Sequence, residues 1–199
     1  LIRDQNLSRE SEIKYLNSHG INISWEKAKY SINTGLWGIS IGGAETLNSR
    51  DPLPESAYPS KVIKSESEEL KIEFKTGELF AINGKKGKPF ELIQRLQILA
   101  RDFGIGRDIH VGDTIIGIKG RVGFEAAAPI IIIKAHHLLE KHTLSKWQLF
   151  QKEQLSNFYG MQLHEGHYLD PVMRDLEAFM ESSQKKVSGK VYLKLHPYR

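Results

Sequence analysis

Residues 70–84, LKIEFKTGELFAING, constrain the fold of this chain more than any other segment. Leu70, Ile72 and Phe74 fall on one face of an extended backbone, because successive side chains of a strand point to opposite faces. Gly77 interrupts this alternation, and residues 79–82 then return as a second apolar run. Two short apolar runs around a glycine-containing turn predict a β-hairpin.

Residues 88–106, KPFELIQRLQILARDFGIG, predict the clearest helix. Its apolar side chains recur every three or four residues and form one stripe, made of Leu92, Leu96, Leu99 and Phe103. Pro89 suits the first turn of a helix, and Gly104 suits its exit.

The remaining elements alternate between helices and strands. Residues 21–60 show little regular pattern, and 50–59 form a proline-rich loop. Residues 129–142 are ambiguous, because four isoleucines favour a strand while the length and the KAHHLLEKH tail favour a helix, which we choose. Further helices are predicted at 8–20, around 145–158 and at 171–186, and strands at 109–119, with a glycine kink, and at 189–197. We predict the α+β class, with mixed α/β as the alternative, and expect a mixed sheet, a hairpin and several packed helices.

The composition excludes several functional classes. Cysteine is absent, so disulfides and thiol chemistry are excluded, and a reducing, cytoplasmic location is expected. No run approaches 18 apolar residues, so we expect no membrane partner. The net charge of +4 is mildly basic, and its densest cluster is GKKGK at 84–88. This cluster is interpreted as a solvated loop; the alternative is a phosphate or nucleic-acid contact, which the lack of interleaved aromatic residues weakens.

Three motifs superficially resemble chemical sites, but none predicts a metal or a catalytic residue. His136, His137 and His142 share one predicted helix, yet the adjacent pair points in different directions. HEGH at 164–167 is one residue shorter than the H-E-x-x-H zinc motif, and its glycine favours a turn. SIGGAET at 40–46 lacks the lysine of a phosphate-binding P-loop.

Two glycine-rich stretches are the unusual parts of the sequence. They are YSINTGLWGISIGG at 30–43 and GIGRDIHVGDTIIGIKGRVGFE at 104–125. Glycine at this density lets a backbone approach a ligand or another backbone closely. Tight turns between strands are the alternative interpretation.

Read together, the two stretches resemble the second domain of the argininosuccinate synthase family. The first resembles the family segment W/Y-S-x-D/N-x-N-L-x-x-x-S, and the second resembles G-x-G-R-x-D-I-V-E-N-R-x-x-G-x-K-S-R-G-x-Y-E-x-P. SSQKKVSGKVYLKL at 182–195 resembles the family's S-Q-x-x-V-x-G-x-V-x-x-x-L. The order and spacing of the three motifs hold over residues 20–195.

This resemblance implies a ligase that joins citrulline to aspartate in arginine biosynthesis. The family adenylates the ureido oxygen of citrulline with ATP and Mg²⁺, releases pyrophosphate, and displaces AMP with the aspartate amine. The ATP site lies in an N-terminal domain with an S-G-G-x-D-S/T-S loop. The second domain holds citrulline, and the matching positions here are Ser31, Ser40, Gly112 and Phe124.

Two of these positions depart from the family pattern. The family has a citrulline-contacting glutamate where this chain has Gly112, with Asp113 next to it, and a tyrosine where this chain has Phe124. Glycine removes a charge and is expected to open volume. An N-acylated citrulline, whose α-nitrogen is neutral and bulkier, is therefore one candidate substrate. Ordinary citrulline, with Asp113 or another acid pairing the amine, is the alternative.

The resemblance also implies that the chain is a fragment. It lacks the nucleotide loop and begins with Leu1, so we expect residues 1–20 to be the end of a missing nucleotide-binding domain or a linker. Residues 21–199 would be the synthetase domain, truncated before the arm that helps build a homotetramer. The competing hypothesis is a non-catalytic α+β module associated with nucleic acid through residues 84–88.

Overall fold

The computed structural model describes residues 7–22 and 29–199 and leaves residues 1–6 and 23–28 undescribed. The first residue, on which the fragment prediction partly rests, therefore lies outside the described residues. The helices are α1 (Arg9–Ser18), α2 (Pro89–Arg101), α3 (Ala127–Thr143), α4 (Lys146–His164) and α5 (Pro171–Gln184). The strands are β1 (Ser31–Gly35), β2 (Gly38–Gly42), β3 (Glu68–Lys75), β4 (Glu78–Ile82), β5 (Lys85–Lys86), β6 (Arg107–Asp113), β7 (Lys119–Glu125) and β8 (Gly189–Leu195).

The predicted α+β class is confirmed, but the arrangement of the strands differs from a single mixed sheet. The described strands form two four-stranded sheets, in the orders β1-β2-β7-β6 and β5-β4-β3-β8. Every pairing within them is antiparallel. Hairpins supply most of these pairings, since antiparallel neighbours can be joined by short turns.

The predicted hairpin is β3–β4, at the centre of the second sheet. Thr76 and Gly77 form its two-residue turn, and both have a positive φ, of 50° and 83°. Such turns match the right-handed twist of the strands, and glycine takes this conformation without strain. The far side of β3 pairs with β8 along nearly its whole length, from Glu68 opposite Leu195 to Phe74 opposite Gly189.

The main core lies between the second sheet and helices α2 and α3. The alternating face of β3 supplies fully buried side chains, as the sequence predicted, and the α2 stripe meets them. Members of this core include Leu70, Ile72, Phe74, Leu92, Leu96, Ala100, Phe103, Ile131, Ala135, Leu139 and Val191. Apolar burial at roughly 25 cal/mol per Å² makes this layer the main source of stability in the chain.

Helix α3 resolves the ambiguity of the isoleucine run in favour of a helix. Pro129 lies in its first turn, as predicted. Ile131 and Ile132 are buried, whereas Ile130 and Ile133 are exposed. The buried residues follow the helical period, so packing on the sheet outweighs the strand preference of isoleucine.

A buried polar cluster lies between α3, α4 and α5. Glu140 is 2% exposed, lies 2.8 Å from Lys152 Nζ, and accepts a hydrogen bond of 2.7 Å from Gln184 Nε2. His136 lies one turn before Glu140, and its ring meets Phe74 edge-on. Burial lowers the pKa of His136, although the neighbouring Glu140 carboxylate opposes this effect. This imidazole is therefore held largely neutral near pH 7.

Two predictions for the first sheet are wrong. Residues 109–119 are not one kinked strand, because β6 ends at Asp113 and β7 begins at Lys119, with a turn closed by the Gly117 N–H donating to the Thr114 carbonyl. Residues 30–43 are also more regular than predicted, since they form the β1–β2 hairpin. Pairing with β7 stabilises β2 despite its glycines, which shows that a strand partner can outweigh weak local propensity.

Other helix and strand boundaries differ from the predictions at their ends. Helix α2 ends at Arg101, five residues early, and Gly104 then turns the chain with a φ of 69°. Helix α4 runs further than predicted, to His164. None of the helices among residues 7–22 and 29–199 is long and apolar enough to cross a membrane.

Candidate site on the first sheet

The first sheet brings all four predicted site residues to one face. Ser40 of β2 lies directly opposite Phe124 of β7. Gly112 of β6 lies opposite Gly120, which is four residues before Phe124 on the same strand. Ser31 lies two residues before Asn33, the partner of Ser40 in β1. Paired residues and residues two apart share a face, so Ser31, Ser40, Gly112 and Phe124 form one surface, called the site face below.

The opposite face of this sheet is closed by residues 44–60. Ile41 is fully buried there and packs with Leu53 and Ala57 in a second, smaller core. The site face is different, because Ser31 is exposed and Ser40, Gly112 and Phe124 are half-buried. The sheet therefore has one structural face and one accessible face.

Beneath the closed face, Arg107 fastens the 44–60 segment to the sheet. Its guanidinium donates to Glu55 at 2.5 Å and to the Ser60 carbonyl at 2.6 Å, and it stacks on the Tyr58 ring. Its Nε lies 3.3 Å from the carboxylate of Glu125, and both side chains are almost completely buried. This network fixes the position of β7 and hence of Phe124, which precedes Glu125.

A second polar network fixes the β1–β2 hairpin that carries the two serines. The Glu45 carboxylate accepts hydrogen bonds from Lys29 at 2.7 Å and from the Tyr30 hydroxyl at 2.6 Å. These bonds, with Lys29 contributing most, lower the pKa of Glu45 to about 2. The residues just before β1 are thereby tied to the turn after β2.

Gly38 allows the hairpin to pack against the end of β7. Its φ is 123°, and a Cβ at this position would lie 2.9 Å from the Cβ of Ala126 and 3.2 Å from the Glu125 carbonyl oxygen. Any larger residue would therefore push β2 away from β7. This is the close approach of backbone to backbone that the glycine-rich motif predicted.

The space above Gly112 is filled, which corrects the expectation that glycine opens volume there. The His110 imidazole lies over Gly112, and its Nε2 occupies the position that a Cβ of residue 112 would need. The same ring meets Phe124 edge-on, with centroids 6.3 Å apart. His110 therefore lies between the two positions at which this chain departs from the family pattern.

Asp113 does not replace the missing acid on the site face. It follows Gly112 in the strand, so its side chain points to the other face. There it forms an ion pair of 2.7 Å with Lys119, its partner across the β6–β7 ladder.

Sequence reasoning missed two residues of the site face, Asp108 and His110. Asp108 lies opposite Phe124, so Asp108, Phe124 and Ser40 form one row across three strands. His110 and Gly112 follow on the same face of β6. The spacing of 108, 110 and 112 could have revealed this, but only if residues 107–113 had been recognised as a separate strand.

A cleft of about 1100 Å³ adjoins the site face at its β6–β7 end. One wall is the β6–β7 hairpin, including His110, Gly112 and Val122, and the other is the last turn of α4, including Met161 and His164. His164 Nε2 lies 3.2 Å from the Asp113 carbonyl oxygen and joins the two walls. The cleft is large enough for an amino acid.

The two motifs that superficially resemble a phosphate loop and a zinc site do not form such sites in the structure. In the SIGGAET segment, the Thr46 N–H already donates to the Gly43 carbonyl, and the Glu45 carboxylate is paired with Lys29. No group of three or more His, Asp or Glu residues within 7–22 and 29–199 is placed to hold a metal. In HEGH, His164 ends α4 and Gly166 turns the chain, with a φ of 80°.

Comparison with known protein families shows to which family this chain belongs. Residues 30–198 match the family model described as the arginosuccinate synthase C-terminal domain. The chain belongs to the argininosuccinate synthase family. The resemblance seen in the glycine-rich motifs is therefore confirmed, and all four predicted site residues lie within the matched range.

Several curated argininosuccinate synthases are similar to the chain over nearly all of its length. The protein from Methanocaldococcus jannaschii is 40% identical over 197 residues, which are 98% of this chain and 50% of that protein. The protein from Dictyoglomus thermophilum is 36% identical over 99% of this chain and 50% of its own length. The protein from Xanthomonas campestris pv. campestris is 33% identical over 96% and 49%. The chain thus spans about half the length of these relatives.

Proposed function

We propose that this chain is the citrulline-binding half of an argininosuccinate synthase, a ligase that forms a carbon–nitrogen bond in arginine biosynthesis. The observation that carries the proposal is the site face, where residues from four strands and from two distant motifs converge. Family membership supports the reaction class. In the full-length enzyme, ATP and Mg²⁺ would be held mainly by the N-terminal nucleotide-binding domain that the family resemblance implies.

In this function, the chain binds and orients citrulline. The Ser31 and Ser40 hydroxyls can donate to, and accept from, the polar amino-acid end of the substrate. Among the described residues, neither hydroxyl has a hydrogen-bond partner, so both can bond a ligand. A fixed amino-acid end would place the ureido oxygen for adenylation and then for attack by the aspartate amine, because a positioned reactant lowers the entropic part of the barrier.

An N-acylated citrulline is a second candidate substrate. The absence of a carboxylate at Gly112 and of a phenol hydroxyl at Phe124 favours it, because an acylated nitrogen needs no acid. The His110 ring over Gly112 argues against a bulky group at that point.

Assembly and location complete the proposal. The full-length enzyme would work in the cytoplasm as a homotetramer. It would use free small-molecule substrates, without nucleic acid or membrane partners.

The test is product formation by the full-length gene product. The purified protein is given ATP, Mg²⁺, aspartate and either citrulline or N-acetylcitrulline, and argininosuccinate or its acetyl form is measured by mass spectrometry with pyrophosphate. We expect stoichiometric product and pyrophosphate that require both amino acids. A folded full-length protein that forms no product with either substrate would contradict the proposed function.

A further inference from the structure

Helix α4 has a second apolar face, opposite the one that meets the rest of the chain. Its inner face is only half-buried, and none of its 19 residues is fully buried. Large apolar side chains lie on the outer face, where they are between 43% and 67% exposed: Trp147, Phe150, Phe158 and Met161. Most protein helices are stabilised by packing an apolar face, so the outer face of α4 is a candidate contact surface.

The outer face has a symmetric sequence. Its members follow one another at intervals of three, four, four and three residues: Trp147, Phe150, Gln154, Phe158 and Met161. These intervals keep all five side chains on one stripe of a helix, called the outer stripe below. In both directions from Gln154, a phenylalanine lies four positions away and another large apolar residue lies seven positions away.

This symmetry fits a second copy of the same chain. In a two-fold contact, residue i of one copy meets residue j of the other, and residue j of the first meets residue i of the second. Two antiparallel α4 helices with the axis at Gln154 bring Trp147 level with the partner's Met161, and Phe150 level with the partner's Phe158. Because Phe150 and Phe158 lean to opposite sides of the stripe, the rings would interdigitate.

The charges of the helix also favour the antiparallel arrangement. The residues nearest the centre of the outer stripe, Gln151 and Asn157, are uncharged. Lys146 begins the helix, and Glu165 caps its C-terminal end. Antiparallel helices place each of these near the opposite charge of the partner, whereas parallel helices would place like charges together.

The cleft beside α4 offers a pocket for the partner's tryptophan. Three isoleucines of the β6–β7 turn line it and are between 62% and 79% exposed: Ile115, Ile116 and Ile118. Met161 lines the same cleft, so the partner's Trp147, level with Met161, comes to its isoleucine end. Trp147 is already held edge-on against Phe150, with ring centroids 6.2 Å apart. A tryptophan buried in a pocket is a typical anchor of a protein interface.

The area of this surface is sufficient for a dimer. The apolar residues of the outer stripe and the three isoleucines expose roughly 700 Å² in one copy, because a large apolar side chain has about 150–250 Å² to bury. Specific interfaces bury about 800 Å² on each partner, and the polar residues beside the stripe would add to this area.

We propose that two copies of this chain associate through the outer stripe of α4. The two helices form an antiparallel pair with the two-fold axis at Gln154, and Trp147 of each copy lies in the cleft of the other. The inference goes beyond the proposed function, because it names a surface that joins copies and does not depend on the reaction.

The first test measures dimer dissociation by analytical ultracentrifugation of the 199-residue chain. The unmutated chain should be dimeric at about 100 μM, since interfaces of this size dissociate in the micromolar range or below. Phe150→Lys and Phe158→Glu should each raise the dissociation constant by about 30-fold or more, the effect of losing one strong interface residue. Tyr192→Glu changes an exposed aromatic residue of the second sheet and is the matched control. It should leave the constant within about twofold.

The second test distinguishes antiparallel from parallel pairing. When Phe150→Lys and Phe158→Glu are combined in one chain, the antiparallel pair brings each lysine beside the partner's glutamate. The double variant should therefore recover most of the affinity that either single variant loses. A parallel pair would bring like charges together and lose more affinity than either single variant.

The third test places a thiol at the proposed axis. The chain has no cysteine, so Gln154→Cys introduces a single one, and mild oxidation should give a covalent dimer. A disulfide requires Cα atoms within about 7 Å of each other, which only a contact near Gln154 provides. Ser182→Cys, exposed on α5, is the control and should stay monomeric on a denaturing gel.

These measurements use no substrate, so their outcome is separate from that of the proposed function. A chain that stays monomeric at 100 μM would overturn the inference. A dimer that Phe150→Lys does not weaken, or that Gln154→Cys does not cross-link, would also overturn it, because the copies would then meet through another surface. In each case the proposed reaction would still be decided by product formation.

Discussion

Arg107 and Glu125 lie opposite each other at one end of the β6–β7 ladder, and their side chains form a buried ion pair beneath the site face. Their environments are unequal. Arg107 also binds Glu55 and Ser60, whereas no hydrogen bond reaches either carboxylate oxygen of Glu125 from the described residues. The Glu125 carboxylate therefore relies on Arg107 for its only compensation among the described residues, whereas Arg107 keeps Glu55 and Ser60 as further partners.

Replacing the two partners should destabilise the chain to different degrees. Arg107→Met leaves a buried carboxylate without a cation and should lower the free energy of unfolding by about 3–5 kcal/mol. Glu125→Gln leaves Arg107 bound to Glu55 and should cost about 1–2 kcal/mol. Urea unfolding of the 199-residue chain measures both values. Adding Glu125→Gln to Arg107→Met should restore part of the lost stability. If the double variant instead loses the sum of the two single losses in free energy of unfolding, the two side chains do not form an energetic pair.

The two serines of the β1–β2 hairpin should affect citrulline binding specifically. In the full-length gene product, Ser31→Ala and Ser40→Ala should each raise the citrulline KM by about 2- to 150-fold, the range for a neutral to a charged hydrogen bond. The KM for ATP should change little. Thr34→Ala is the control, since Thr34 lies on the same hairpin but on its opposite face. Normal citrulline kinetics in both serine variants would remove these residues from the site.

The 199-residue chain by itself should turn over no ATP. Catalysis at a phosphate requires groups placed on the α-phosphate and its metal ion, and the described residues include no cluster of His, Asp or Glu placed to hold that ion. Pyrophosphate release with ATP, Mg²⁺, citrulline and aspartate is the measurement, with a mock purification as background. Release above that background, removed by Ser40→Ala, would show that the chain is catalytic alone.

His136 should make the stability of the chain depend on pH below neutrality. Burial lowers its pKa in the folded chain, so the unfolded chain binds a proton at a higher pH than the folded chain does. The contribution of neutral His136 to the free energy of unfolding is complete above its unfolded pKa of about 6.5. It is lost as the pH falls toward its lower pKa in the folded chain. Urea unfolding between pH 7.5 and pH 5 should show a shallower decline for His136→Asn than for the unmutated chain. His137→Asn, an exposed neighbour, should keep the full decline, and equal slopes in all three proteins would exclude this role.

The sequence was sufficient for elements whose information is local. The alternation of Leu70, Ile72 and Phe74, the turn at Gly77 and the stripe of α2 predicted the core hairpin and its helix, because the same residues that set the period become buried. The motifs at 30–43 and 104–125 were also sufficient to indicate the family, which the match over residues 30–198 confirms.

Only the tertiary structure decided how these motifs meet. Strand β2 is stabilised by β7, about 80 residues away, so its glycine-rich sequence gave a weak local signal. The turn that separates β6 from β7 was also not recognised, so residues 109–119 were predicted as one strand. For that reason the shared face of Asp108, His110 and Gly112 was not predicted. The side chain above Gly112 also could not be read from the sequence, because the volume at a glycine depends on which neighbour packs there. Periodicity reports which side of a segment is buried, whereas pairing, register and packing depend on contacts between distant segments.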